Sequence, residues 1–89
     1  MAYVSKNLSV LAYANGFTLW HYITADTAAT VDTAGYFNSA SHMLRTGDII
    51  VANVDTGGTP AAGFLRVASN ASGVVDVADM TAIGGTDTD

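Results

Sequence analysis

Asp55, in the segment Asp55-Thr56-Gly57 behind the apolar run "DIIVANV", is the side chain whose neighbours best suit it to chemistry. A carboxylate on such a loop can meet its twin across a two-fold axis, and two carboxylates sharing one proton can activate water for hydrolysis. Too few residues follow the motif to build the flap and second half that such a catalyst needs, and "DTGG" is also an ordinary turn sequence. Asp55 is therefore read first as a turn residue.

The other reactive types give less. Ser41-His42 pairs a hydroxyl with a base, but neighbours on a helix point about 100° apart and cannot share a proton. His42 is expected instead near a helix C-terminus, among free carbonyls. His21 shares a strand face with Leu19 and Ile23, where a histidine bonded to a backbone carbonyl is the expected role. There is no cysteine, and the acidic residues, all aspartate, lie scattered through turns, so no metal is expected; calcium between Asp26 and Asp32 is the weak alternative. "DTGGTPAAG" has glycines but no lysine for a phosphate, and no cofactor is expected. Trp20, Tyr22, Tyr36 and Phe37 could form a ligand platform, though core is the commoner use of aromatics on a strand and a helical stripe. No catalytic residue is assigned.

Composition sets the frame for these residues. The chain has 89 residues, 49% hydrophobic and 12% charged, which predicts one folded domain, 1–89. A domain of this size buries only about 60–65% of its unfolded surface and here has no disulfide to help, so association with other chains is the expected further source of stability. Three basic residues against eight aspartates give a net charge of -5, which argues against nucleic acid as a partner. No apolar run approaches the ~20 residues of a membrane span and no signal peptide is legible, so an intracellular origin and no membrane partner are expected.

The elements that must position these side chains read as mainly β. "MAYVSKNLSVLAYANG" (1–15 as arm or strand) ends at Asn15-Gly16, a tight-turn pair. "FTLWHYITA" is a strand with Leu19, His21 and Ile23 on one face and Thr18, Trp20, Tyr22 and Thr24 on the other. "DTAATVDTAG" reads as a loop closing on an N-cap at Asp32 or Thr33; Tyr36, Phe37, Ala40, Met43 and Leu44 then recur at helical spacing until Gly47. "DIIVANV", "GFLRVAS" and "GVVDVAD", separated by short turns, predict an antiparallel meander. Residues 84–89 read as a frayed acidic tail. The expected fold class is thus mainly β (α+β): a small antiparallel sheet, sandwich or barrel of four to five strands with one short helix.

Three segments carry a family resemblance: Gly16-Phe17-Thr18-Leu19-Trp20-His21-Tyr22, Gly35-Tyr36-Phe37-Asn38, and Leu44 to Ile49 with its Gly47-Asp48. With the chain between them, from about Leu8 to Met80, they resemble small proteins encoded among the structural genes of tailed bacteriophages and prophages. The resemblance implies a virion accessory protein, of the capsid-decoration, head-spike or fibre-base type, made in the bacterial host cytoplasm and located in the virion. It transfers no site residue. A decoration protein packs symmetrically on a lattice, so a homo-oligomer is expected, a trimer preferred to a pentamer, with the major capsid protein or another virion protein as its partner. Tyr3, Val4, Leu8, Tyr13, Phe17, Trp20 and Tyr22, from the arm and the aromatic strand, are the expected interface. The alternatives are a fibre or adhesin-type module binding a host-surface glycan, and, more remotely, a dimeric aspartic protease using Asp55.

Overall fold

The computed structural model describes residues 3–84. Six strands form one sheet: β1 (Leu8–Ala14), β2 (Phe17–Ile23), β3 (Ile49–Val54), β4 (Ala61–Ala71), β5 (Val74–Val77) and β6 (Thr81–Ile83). The order is β1-β2-β3-β4-β5, with β6 also pairing β4. The mainly β class with one short helix stands as expected; the strands number six, and the sheet is mixed. β2 and β3 run parallel, while every other pairing is antiparallel. Parallel neighbours need a long crossover, and the chain between Ile23 and Ile49 supplies it. The meander expected of β3, β4 and β5 is present.

Local sequence explains the turns. Asn15 and Gly16 close the β1–β2 hairpin with φ of 54° and 79°, and Ser72 and Gly73 repeat those angles between β4 and β5. Two consecutive residues at positive φ give the turn whose twist matches a hairpin's strands, and Asn and Gly tolerate it best. Residues 1–15, read as arm or strand, contain a 3-10 turn at Ser5–Asn7 and then β1. The expected tail at 84–89 lies, apart from Gly84, outside the described residues.

The crossover departs from the sequence reading. The one α-helix among the described residues, α1 (Ala28–Val31), lies in the stretch read as loop; the Thr27 hydroxyl caps it by accepting the Thr30 amide at 3.3 Å, and its Val31 is fully buried. The helix expected from Asp32 onwards is replaced by turns and a 3-10 segment, Asn38–Ala40. Hydrogen bonds to β5 compete with it. Gly35 takes φ 91° and donates its amide to the Val75 carbonyl at 2.9 Å, while the Asn38 side chain accepts the Val75 amide at 2.9 Å. Phe37, Ala40 and Leu44 are nevertheless buried, because a period of three, like one of 3.6, returns residues 37 and 40 to one side. His42, expected at a helix end, is exposed in a turn.

The crossover covers one face of the sheet. Trp20, Tyr22, Ile50, Ala52, Val54, Leu65 and Val67 project from the strands into Val31, Phe37, Ala40 and Leu44, and Val75 and Val77 of β5 join this cluster. Tyr3 stacks on Tyr22 with centroids 5.7 Å apart, and Phe37 meets Tyr22 and Tyr36 edge-on at 5.2 and 5.0 Å. Rings in edge-to-face contact gain about 0.5–1.5 kcal/mol per pair beyond area burial. Gly63 belongs to this face by necessity: a Cβ there would stand 2.7 Å from the Met80 Cγ and closer still to the Thr81 carbonyl oxygen.

Candidate functional site

Two buried carboxylates anchor the inner layer. Asp48, 1% exposed, accepts the Thr18 amide at 3.2 Å, the Trp20 indole N–H at 3.1 Å and the Arg45 amide at 3.1 Å. All of its partners are neutral donors, so it joins β2 to the residues before β3 by charge-assisted hydrogen bonds alone. Asp26 is the second, at 4% exposed. The Tyr36 hydroxyl donates to its Oδ2 at 2.6 Å and lies 2.9 Å from the Tyr22 hydroxyl, which in turn accepts the Val4 amide at 3.1 Å. This chain of hydrogen bonds ties the N-terminal segment to the crossover. Burial first, then the bond to Asp26, pushes the Tyr36 hydroxyl far above the usual tyrosine range, and burial and the neighbouring Tyr22 push Tyr3 upward. Both carboxylates are thus held by hydrogen bonds from within the fold.

The fold separates the residues expected at an interface into three groups. Trp20 and Tyr22 are core residues, 6% and 0% exposed, so neither ring is presented to another subunit; the inward row of β2 takes them. Tyr3 and Leu8 are half-buried and pack against the same core. Val4, Tyr13 and Phe17 are exposed. Tyr13 and Phe17 flank the β1–β2 turn, with the Arg45 guanidinium 5.8 Å over the Tyr13 ring. Val10 and Leu11, apolar residues of the same segment that were not among those expected at an interface, are 55% and 56% exposed and complete an apolar hairpin. The signal was present in "LSVLAYA", a strand without charge or strict alternation. Among the described residues β1 pairs only with β2, leaving its other edge open there, and its pairing has a bulge between Val10 and Ala12. Open edges carrying no charge or proline invite pairing with another chain.

The remaining candidates resolve into local roles. Asp55, at φ 54°, accepts the Thr59 amide at 3.3 Å and closes the β3–β4 turn. His21 hydrogen-bonds through Nε2 to the Asn53 side-chain oxygen at 2.8 Å, where a backbone carbonyl was expected; parallel pairing sets β3 beside it. Asp32 is raised by burial and by Asp79, against the Met80 amide that lowers it, with Asp76 adding to the rise. Among the described residues, no three His, Cys, Asp or Glu side chains gather where they could hold a metal. A hollow of about 450 Å³ lies between the β3–β4 turn and β6; the described residues of its wall, Asn53, Thr59, Pro60, Ala62 and Ile83 among them, include no titratable side chain. No helix among the described residues is long and apolar enough to cross a membrane. Compared with known proteins, the chain matches no family model, no curated protein and no solved structure.

Proposed function

We propose that this chain is a structural subunit of a tailed-phage virion, working as a homo-oligomer that decorates or stabilises the capsid. The observation that carries the reading is the β1–β2 hairpin: Val10, Leu11, Tyr13 and Phe17 are exposed, apolar and uninvolved in the chain's own core. A soluble domain rarely leaves neighbouring large apolar side chains and an uncharged strand edge together without a partner. The resemblance of residues 16–22, 35–38 and 44–49 to phage structural proteins supplies the setting. In it the hairpin meets the major capsid protein or another virion protein, and a trimer remains the expected order.

Leu11→Asp combined with Tyr13→Asp tests this. Both positions are exposed, so the fold should persist by circular dichroism. Electron microscopy of purified particles should show the wild-type chain on the shell and the variant absent from it. Particles that lack the wild-type chain altogether would overturn the reading.

A further inference from the structure

Antiparallel sheets that leave one face to water alternate apolar and polar side chains; near-continuous apolar runs belong to strands buried on both faces. β3 is such a run, Ile49-Ile50-Val51-Ala52-Asn53-Val54, yet the crossover covers only the side bearing Ile50, Ala52 and Val54. The register continues the apolar pattern across the other side. One outward row joins Ala12, Leu19, Ile49 and Arg66, the next joins Ser9, His21, Val51, Phe64 and Thr81, and a third joins Asn53, Ala62 and Ile83, with Ile23 beside Asn53. Ile23, Phe64 and Ile83 are each more than 40% exposed. The polar pair in the middle, His21 and Asn53, satisfies itself at 2.8 Å.

We propose that this outer face of the sheet is where copies of the chain pack on one another. The inference rests on the self-assembling role proposed above and names the surface that performs it. Three observations select a second copy as the occupant. The first is charge: the chain carries -5 in all, but the outward positions of β2, β3 and β4 hold no carboxylate and one cation, Arg66. Two equally negative copies meet there without opposing their acids. The second is area. Five strands about 4.8 Å apart and about six residues long make a face of roughly 480 Å², so two such faces bury on the order of 1,000 Å², the lower limit for a specific interface. The third is size: of the given residues outside the described ones, 1–2 and 85–89, only Met1 has a large apolar side chain. Facing sheets pack about 10 Å apart with their side chains interdigitated, which Phe64, Val51, Leu19 and Ile49 are of a size to do.

Light scattering on the free, full chain at about 100 µM, where an interface of this size should be populated, reads the outcome directly. The wild type should have a mass two or more times 9.1 kDa, and Val51→Asp with Phe64→Asp should return it to 9.1 kDa with an unchanged circular dichroism spectrum. A wild-type monomer, or an oligomer that survives both substitutions, overturns the inference. Should the charged variant fail to fold, the cysteine-free chain offers a second reading: the thiol of Phe64→Cys should react with a maleimide about tenfold more slowly than that of Tyr13→Cys. Equal rates overturn it. If the free chain is monomeric while particles still carry it, the packing face is wrong and the virion role stands; if it self-associates through this face yet is absent from particles, the virion role fails instead.

Discussion

The two faces of this sheet are built from the same strands and differ in how they end. On the inner face apolar side chains meet a crossover layer, and the polar atoms named there are paired: Asp48 with three donors, Asp26 with Tyr36, Tyr22 with Val4. One exception is the Tyr3 hydroxyl, which is buried without a hydrogen-bond partner among the described residues. The outer face has comparable apolar content but, among the described residues, no layer over it. The lesson is that apolar pattern alone does not make a core; a core also needs chain with which to cover the pattern, and a crossover of this length covers only one side. The inner face therefore holds the fold of the single chain, while the outer face is available to hold an assembly.

Asp48→Ala should break the inner face most severely. It strands the Thr18 amide, the Trp20 indole and the Arg45 amide without an acceptor, and each buried unpaired donor costs about 1–3 kcal/mol, so a loss of about 3 kcal/mol or more is expected out of a total of about 5–15. Leu19→Thr, on the outer face, should cost the monomer under about 1 kcal/mol. Urea unfolding followed by the fluorescence of Trp20, the sole tryptophan, compares them; equal losses would erase the distinction between the faces.

Alkaline pH sharpens the same contrast with a smaller effect. The hydroxyl of Tyr36 keeps its proton in the folded chain far above 10.0, where an unfolded tyrosine loses it. The unfolded state then binds fewer protons, so this contribution is complete below about pH 10 and declines as the pH rises towards the folded value. Tyr36→Phe should lower stability at neutral pH by about 1–2 kcal/mol, because Asp26 loses its donor, and should make the decline between about pH 10 and 11.5 shallower. Urea midpoints across that range decide it; an equally steep decline in the variant would assign the titration elsewhere.

Charge at the margin of the inner layer gives the smallest effect. Burial and the nearby Asp79 and Asp76 raise Asp32, so its ionised form is disfavoured in the folded state. The stability linked to it is full below the ordinary value of 3.8 and is lost as the pH rises through the raised one. Asp32→Asn keeps an acceptor for the Met80 amide and should gain a few tenths of a kcal/mol at neutral pH, and nothing at about pH 3. Thermal midpoints at both pH values check the sign.

Much of this was legible in residue order. The two faces of β2 follow from the alternation in "FTLWHYITA", and the Asn15-Gly16 turn follows from the tolerance of both residues for positive φ. Phe37, Ala40 and Leu44 could be assigned to the core, although the helix proposed for them is not there. The candidate surface was half legible. Of the aromatic residues named there, Tyr13 and Phe17 are exposed and Trp20 and Tyr22 are core residues, since an aromatic ring suits a surface and a core equally well and type alone does not separate them. Phe64 alternates with the buried Leu65 and Val67 and is exposed.

The sequence by itself determined which residues share a strand face, where the chain must turn, and that so small and weakly charged a domain has limited means of stabilising itself. These are local or additive properties, set by backbone sterics and composition. Tertiary structure alone decided which strand face the crossover would cover, that β2 and β3 would run parallel, and that Asp48 would meet Trp20. Those outcomes depend on contacts between residues far apart in the chain, where competing hydrogen bonds, such as those joining Val75 with Gly35 and Asn38, outweigh local helical spacing.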